Sequence, residues 1–176
     1  MIAIIQGDIT KEKIDVIVNA ANSGLRGGGG VDGAIHRAAG PSVMAECRKI
    51  GSCPTGSAVA TGAGNLKAKK IFHAVGPVWR GGGSGEAELL KTCYTKCFEL
   101  AKNMELKSIA FPAISTGVYA FPKAEAARIA IEVGLGFEND FQEIRYVCFS
   151  GEDLGLYQKI FEELGGETRR TRGGGK

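Results

Sequence analysis

A run of four glycines constrains this chain more than any other stretch of its sequence. Residues 27–33 read GGGGVDG, and they lie between the apolar segment 16–22 and a segment, 34–39, with helical character. Glycine has no Cβ, so it leaves its backbone amides bare and adopts positive φ angles readily. Because the unpaired amides at a helix N-terminus point toward the same place, the sequence predicts a phosphate-binding loop here.

An acidic side chain stands at the mouth of this predicted anion site. The carboxylate of Asp32 opposes phosphate binding electrostatically, so its position suggests a task other than binding. The alternative is that Asp32 only complements the positive end of the following helix. Asn22, at the end of the preceding segment, has an equally simple alternative as a turn residue.

A second glycine-bearing turn, Ser115–Tyr119, follows another apolar segment and precedes another helical pattern. Loops that follow parallel strands open on one edge of a sheet, where α/β proteins bind their ligands. Two such loops predict one phosphate each, or a clamp on a diphosphate.

Short β-branched runs alternate with helical patterns along the chain, which predicts an α/β fold arranged as a three-layer α/β/α sandwich. The predicted strands are Ile2–Gln6, Asp15–Asn19, Ser57–Thr61, Lys70–Val75, Ser108–Pro112 and Ile144–Phe149. The predicted helices are Ala34–Ala39, Glu86–Met104, Pro122–Gly134 and a segment that Ser150 and Asp153 cap and Gly165 ends.

The charge of the chain is concentrated at one end. The net charge is +3, and residues 166–176 contain four basic residues and one acid, so residues 1–165 are neutral. We therefore expect one domain at 1–165 and a basic, Gly/Arg-rich, disordered tail at 166–176. A neutral body disfavours nucleic-acid binding. Without a long apolar run or a signal peptide, we expect a cytoplasmic protein with no membrane partner.

Other known site patterns match poorly. Gly28, Gly30 and Gly33 fit the G-x-G-x-x-G spacing, but residues 19–26 separate them from the strand and the acid of a dinucleotide site is missing. Cys93 and Cys97 lie on the apolar stripe of a helix, so we expect core thiols. His73 is expected to be structural, and His36 to be a partly exposed helix residue on the face of Asp32. We expect no metal, no cofactor and, with five cysteines, no disulfide framework.

Taken in order, the motifs of this chain resemble those of macro domains, in particular the bacterial MacroD-type branch. The resemblance covers nearly all of residues 1–165, and its motifs are Gln6–Thr10, Val18–Asn22, Gly27–Ile35, His73–Pro77 and Phe111–Tyr119.

The resemblance implies an ADP-ribose pocket on a mixed, roughly six-stranded sheet between helices. It implies that Asp8 reads the adenine amine, that the two loops bind the phosphates, and that Asn22 holds the distal ribose. The ligand-binding residues implied in this way are Asp8, Ile9, Asn19, Ala20, Gly28, Gly29, Gly30, Val31, Ser115, Thr116, Gly117, Val118, Tyr119 and Phe149.

The activity that the resemblance implies is hydrolysis of esters on the distal ribose of ADP-ribose. The expected substrates are O-acetyl-ADP-ribose and proteins mono-ADP-ribosylated on Asp or Glu. The expected catalytic residues are Asp32, which orients or deprotonates a water molecule, and Asn22. The alternative is a reader module that binds ADP-ribose without cleaving it, and the physiological ester stays open.

Overall fold

The computed structural model describes residues 1–166. Apart from Gly166, the tail predicted at 166–176 lies outside the described residues. The described part contains six strands: β1 (Ile2–Gln6), β2 (Ile14–Ala20), β3 (Ala58–Gly62), β4 (Ala68–Ala74), β5 (Ser108–Phe111) and β6 (Glu143–Cys148). It also contains five α-helices: α1 (Gly30–Ala39), α2 (Pro41–Ile50), α3 (Glu86–Asn103), α4 (Lys123–Phe137) and α5 (Gly151–Glu163).

The strands form one mixed sheet in the order β1-β6-β5-β2-β4-β3. Every neighbouring pair is parallel except β3 and β4, which are antiparallel. The predicted fold class and the mixed six-stranded sheet are thus confirmed. Because β1, β2, β5 and β6 run in the same direction, the loops that follow them meet at one edge of the sheet.

Both faces of the sheet are covered, which explains the continuous apolar runs of its central strands. In β2, Val16 and Val18 point into a core shared with α3, α4 and α5, whereas Ile17 points into a second core shared with α1 and α2. Full burial of each such side chain stabilises the fold by roughly 1.5–3 kcal/mol. Among the helices within residues 1–166, none is both long and apolar enough to cross a membrane.

Among the α-helices within residues 1–166, only α2 was not predicted from the sequence. It begins with Pro41 at its first turn, buries Val43 and Cys47 one turn apart, and ends before Gly51, whose φ is 88°. These are ordinary start and stop signals for a helix. The helix lies beside the first glycine loop, because a Cβ at Gly27 would stand 3.1 Å from the side chain of Met44.

The cysteines behave as expected from their number. All five lie within residues 1–166 and are buried and free. Cys93 and Cys97 lie fully buried in the core beneath α3, so the prediction of core thiols is confirmed.

The glycine-rich segment before α3 is tied down by one side chain. The carboxylate of Glu86 accepts hydrogen bonds from the backbone amides of Arg80 (3.0 Å), Gly82 (2.7 Å) and Ser84 (2.6 Å). The glycine-rich composition of this segment is typical of a flexible loop, because composition does not show that a helix-terminal acid folds back onto it. At the start of α5, the predicted cap is confirmed: Ser150 accepts from the amide of Asp153 at 3.1 Å.

Candidate functional site

Two adjacent cavities lie along the carboxyl edge of the sheet. The first, of about 230 Å³, lies between the two glycine-bearing loops. The second, of about 500 Å³, lies over the ends of β1 and β6 and is within the usual size of a small-molecule site. Val31 and Ala113 line both cavities, so the two form one groove.

The groove brings together all of the predicted site residues except Asn19. The first cavity is lined by Ala20, Asn22, Gly28, Gly29, Val31, Asp32, Ser115, Gly117, Val118 and Tyr119. The second cavity adds Asp8, Ile9, Gly30, Thr116 and Phe149.

The first loop is shaped by its glycines and by Asn22. The side-chain amide of Asn22 donates to the carbonyl of Gly27 at 2.8 Å and accepts from the amide of Arg26 at 3.1 Å. Gly30, with φ 56°, opens helix α1, and a Cβ built there would meet no atom within 4 Å. The groove is therefore open beside Gly30, at the start of α1, where the first-turn amides lack partners within the helix.

The second loop is shaped by a residue that is not glycine. Ser115 has φ 67°, in the left-handed region, although only 6% of its surface is exposed. Its hydroxyl is buried and makes no hydrogen bond within the described residues. The amide of Ile114 donates to the hydroxyl of Tyr94 at 3.3 Å, which fixes the start of the loop from the core side. Strain of this kind is typical of functional sites.

Asp32 lies on the wall of the first cavity, and only 6% of its surface is exposed. Its Oδ1 accepts from Nδ2 of Asn19 at 2.8 Å and lies 3.3 Å from Nε2 of His36. No side chain caps the N-terminus of α1. The carboxylate is thus held by side chains at the cavity wall rather than by the helix amides, which disfavours a purely capping role.

The amide of Asn19 links Asp32 to a buried histidine. Its Nδ2 also lies 3.1 Å from Nδ1 of His73. An amide nitrogen can only donate, so Nδ1 of His73 is the acceptor and its Nε2 carries the proton. That Nε2–H donates to Oγ1 of Thr61 at 2.9 Å, and Thr61 in turn donates to the carbonyl of Gly62 at 2.9 Å.

The hydrogen-bonded chain has a defined direction because His73 is neutral. Burial lowers the pKa of His73 to about 4, and the neighbouring imidazole of His36 contributes to the same shift. At neutral pH both hydrogens of the Asn19 amide are therefore committed, one to His73 and one to Asp32. This series of hydrogen bonds orients the carboxylate of Asp32 from beneath the cavity.

The implied role of Asn19 as a ligand contact needs correction. Its side chain is 0% exposed and lies outside both cavities. Because its amide is turned toward Asp32 and His73, it supports the site from behind. Ala20, the next residue of β2, does line the first cavity, since neighbouring strand residues point to opposite faces.

The second cavity contains Asp8 and an exposed aromatic ring. Oδ1 of Asp8 accepts from the amide of Thr10 at 3.0 Å and from its hydroxyl at 2.6 Å. The hydroxyl hydrogen bond is the main cause that lowers the pKa of Asp8. Oδ1 of Asp8 is the acceptor of both hydrogen bonds. Phe149 is 89% exposed at the rim, which leaves its ring available to a planar ligand.

Sequence reasoning missed some residues of the groove. Gly76 and Ala113 line the first cavity, although both lie within the motifs that carried the resemblance. Arg37, in the second half of α1, and Asp153 line the second cavity. The position of Arg37 one turn after Gly33 was a usable signal, because a long side chain there points back along the helix toward the loop.

Beneath Asp32, three side chains of types that commonly bind metals form a cluster. One ring nitrogen of His36, one of His73 and the sulfur of Cys47 lie within 4.8 Å of one another. Burial raises the pKa of Cys47 to about 11, and the negative charges of Asp32 and Glu46 act in the same direction.

Comparison with protein families matches residues 18–130 to the model described as Macro domain. A macro domain-containing protein of Listeria monocytogenes is 55% identical over 168 residues, covering 90% of this chain and 96% of that protein. A protein of Escherichia fergusonii named O-acetyl-ADP-ribose deacetylase is 51% identical over 173 residues, covering 94% of this chain and 98% of that protein.

Comparison with solved structures also finds macrodomains. A mutant macrodomain of Oceanobacillus iheyensis with ADP-ribose superposes with a TM-score of 0.87 at 43% identity, covering 92% of this chain and 91% of that one. The macrodomain of Trypanosoma brucei in complex with ADP-ribose gives a TM-score of 0.84 at 39% identity, covering 90% of this chain and 68% of that one.

Proposed function

The chain belongs to the macro domain family, and from this premise we propose that it binds ADP-ribose and hydrolyses esters on the distal ribose. The observation that carries the proposal is the position of Asp32. Its carboxylate lies on the wall of a cavity between two loops suited to phosphates, where its charge opposes phosphate binding, and this position supports a role in chemistry.

The diphosphate is proposed to lie between the two loops, held by backbone amides. The lining of the first cavity, all of it within the described residues, includes no lysine or arginine. The positive end of α1 and the amides of Gly28–Val31 supply the compensating partial charge on one side. The amides of Ser115–Val118 supply it on the other side. No metal is needed to neutralise the phosphates in this arrangement.

The adenosine is proposed to occupy the second cavity. Asp8 offers an acceptor to the exocyclic amine of adenine, since its Oδ2 is not used by Thr10. The Ile9 amide and the exposed ring of Phe149 border the same cavity and hold the base. With adenosine there and the diphosphate between the loops, the distal ribose extends toward Asn22, Asp32 and Tyr119 in the first cavity.

Hydrolysis in this arrangement begins with a water molecule bound by Asp32. The carboxylate accepts a proton from the water molecule while the water oxygen attacks the ester carbonyl carbon. A tetrahedral intermediate forms. The bond between the acyl carbon and the ribose oxygen then breaks, and the proton passes to that oxygen. The products are a carboxylic acid and ADP-ribose.

The surroundings of Asp32 suit orientation more than strong basicity. Carboxylates are weak bases at neutral pH, so the rate gain comes largely from holding the water and the ribose in place. Asn19 and His36 restrict the carboxylate, and Asn22 is positioned to restrict the ribose. The diphosphate of the substrate can share the proton, because it lies beside the same water.

Two substrate classes follow from this chemistry. O-acetyl-ADP-ribose and proteins mono-ADP-ribosylated on Asp or Glu carry the same ester on the same ribose. The names of the relatives support the first class. The rim of the first cavity supports the second, because Val118 is 98% exposed and leaves room for a bulky acyl group.

The test is the release of free ADP-ribose from a protein modified on glutamate. We expect release by this chain, and no release from a protein modified on arginine, which carries no ester. Deacetylation of O-acetyl-ADP-ribose is measured in parallel. If neither ester is cleaved while ADP-ribose still binds, the chain is a reader and the hydrolase proposal is wrong.

A further inference from the structure

We propose that His36, Cys47 and His73 form a binding site for a thiophilic divalent cation of the Zn²⁺ class, and that its occupancy switches off ester hydrolysis. The metal site stands on its own geometry, whereas the switch also rests on the proposed function. The cluster lies directly beneath Asp32, because His36 and the chain through Asn19 both contact that carboxylate.

The ligand atoms have the chemistry and the spacing of a zinc site. Imidazole nitrogen and thiolate sulfur bind Zn²⁺ at about 2.0–2.1 Å and 2.3 Å, so tetrahedral neighbours stand about 3.5 Å apart. Sγ of Cys47 and Nε2 of His73 are already 3.7 Å apart. One ring nitrogen of His36 lies within 4.8 Å of both other ligand atoms, so a shift on the order of 1 Å completes three ligands.

The hydrogen bonding of His36 suits a metal ligand. Its Nε2 is 3.3 Å from Oδ1 of Asp32, and its Nδ1 is buried with no hydrogen-bond partner in residues 1–166. When Nε2–H donates to the carboxylate, Nδ1 presents a bare lone pair. Metal-binding histidines typically donate their second nitrogen to a carboxylate in this way. A metal ion would therefore give Nδ1 of His36 the partner that it lacks among residues 1–166.

The local charge favours a cation as well. Asp32 and Glu46 lie close enough to Cys47 to disfavour its thiolate in the metal-free protein. A divalent cation reverses that balance, because it is attracted by both carboxylates and stabilises the thiolate directly. Binding releases the thiol proton to solvent, and the thiolate that remains offsets one of the two positive charges of the metal ion.

Occupancy of this site is incompatible with the present arrangement of Asn19. A metal at Nε2 of His73 displaces the proton that now goes to Thr61 and moves it to Nδ1. Nδ1–H then faces the Nδ2 donor of Asn19, so the amide must turn over and offer its Oδ1, which is buried and unpartnered now. The same oxygen would face the carboxylate of Asp32. Asp32 would lose the hydrogen bond from Asn19, keep only its contact with the metal-bound His36, and shift from its present position.

The experiment is a Co²⁺ titration of the full chain, read by the charge-transfer absorption of a cobalt-bound thiolate. We expect a band that saturates at one equivalent and that Zn²⁺ abolishes. Cys47→Ala should lose the band, and so should Cys47→Ser, which keeps the size of the side chain if the alanine variant folds poorly. Cys97→Ala is the matched control, since Cys97 is equally buried but lies in the other core, and it should keep the band.

Hydrolysis of O-acetyl-ADP-ribose is then measured with saturating Zn²⁺ and after chelation. We expect at least tenfold inhibition of the wild type, recovery with chelator, and unchanged, uninhibited turnover in Cys47→Ala. A missing band, or one that survives in both Cys47 variants, overturns the site. A band without inhibition overturns the switch. If the metal-free protein hydrolyses no ester, the switch falls with the proposed function, and the cobalt spectrum still decides the site.

Discussion

The two loops that border the first cavity reach the same ligand-binding edge by different physical means. In the glycine run of the first loop, residues 27–30, positive φ angles fall on glycines, at Gly27 (79°) and Gly30 (56°), whereas Leu25 (52°), just before the run, carries a Cβ. In the second loop they fall on Ser115 (67°) and Ala120 (58°). A residue with a Cβ pays roughly 1–2 kcal/mol for this conformation. The glycine run is therefore encoded locally, whereas the conformation of the second loop is imposed by its surroundings.

The surroundings of the second loop come from distant parts of the chain. Tyr94, on α3, accepts from the amide of Ile114, and the amide of Trp79 donates to the carbonyl of Tyr119 at 2.8 Å. Gly76, just after β4, lets the loop approach closely, because a Cβ there would collide with Oγ of Ser115 and Cγ2 of Ile114. Disturbing these supports should damage the second loop without changing any residue in it.

The largest effect is expected at the first loop, for Gly30→Glu. A Cβ at position 30 points into open space in the groove, so the side chain carries a negative charge into the proposed phosphate site. We expect ADP-ribose affinity measured by calorimetry to fall by about 100-fold or more, roughly 2.7 kcal/mol.

Two variants separate the causes of that loss. Gly30→Ala carries the same backbone cost at φ 56° without the charge, and it should lose far less affinity. Gly136→Glu places the same side chain on an exposed face of α4, and it should bind normally. If Gly30→Glu folds and binds as the wild type does, the first loop does not hold a phosphate.

A smaller loss of ADP-ribose affinity is expected for Gly76→Ala, which displaces the second loop from the side of β4. The added methyl group forces Ser115 and Ile114 outward, and overpacking of this kind costs about 1–3 kcal/mol of folding stability. ADP-ribose affinity should fall by about tenfold, and the melting temperature should fall with it. Gly83→Ala, where a Cβ meets no atom within 4 Å, is the control that should change neither quantity. An unchanged affinity in Gly76→Ala would show that the second loop adapts freely.

The smallest effect is expected for Tyr94→Phe, which removes one support of the second loop. The amide of Ile114 loses its acceptor in the core, and a buried unpaired amide costs about 1–3 kcal/mol of stability. Affinity should fall only a few-fold, because the loop keeps its other contacts.

Tyr146→Phe is the matched control for that variant. Its hydroxyl is also fully buried and donates to the carbonyl of Ala130, far from the second loop. It should lose stability and keep its ADP-ribose affinity. Equal loss of affinity in the two variants would mean that general destabilisation, and not the loop, is responsible.

The same contrast explains what the sequence could predict. The first loop was predicted from four adjacent glycines, because the conformation of that run depends on residue type. The left-handed conformation of Ser115 was not predictable, since no local feature requires it. The burial of Asn19 was missed for the same reason: side-chain partners such as Asp32 and His73 are distant in sequence.

At the level of the fold, strongly periodic segments were predicted well and short ones less so. The long helix α3, predicted at Glu86–Met104, is found at Glu86–Asn103. Helix α2 was missed, because its apolar positions are few and only Val43 and Cys47 are buried. Its omission hid the packing of Cys47 against His73, two residues that are distant in sequence.

Asp32 is the residue on which the proposed hydrolysis depends most, and ADP-ribose binding alone does not explain its position. The most direct test is the single-turnover rate of O-acetyl-ADP-ribose hydrolysis by Asp32→Ala, measured with enough protein to saturate the substrate. We predict a fall of about 100-fold or more, the usual contribution of a positioned acid or base, with ADP-ribose affinity retained or improved. A wild-type rate in Asp32→Ala would contradict the account, because the carboxylate at the cavity wall would then have no part in the chemistry.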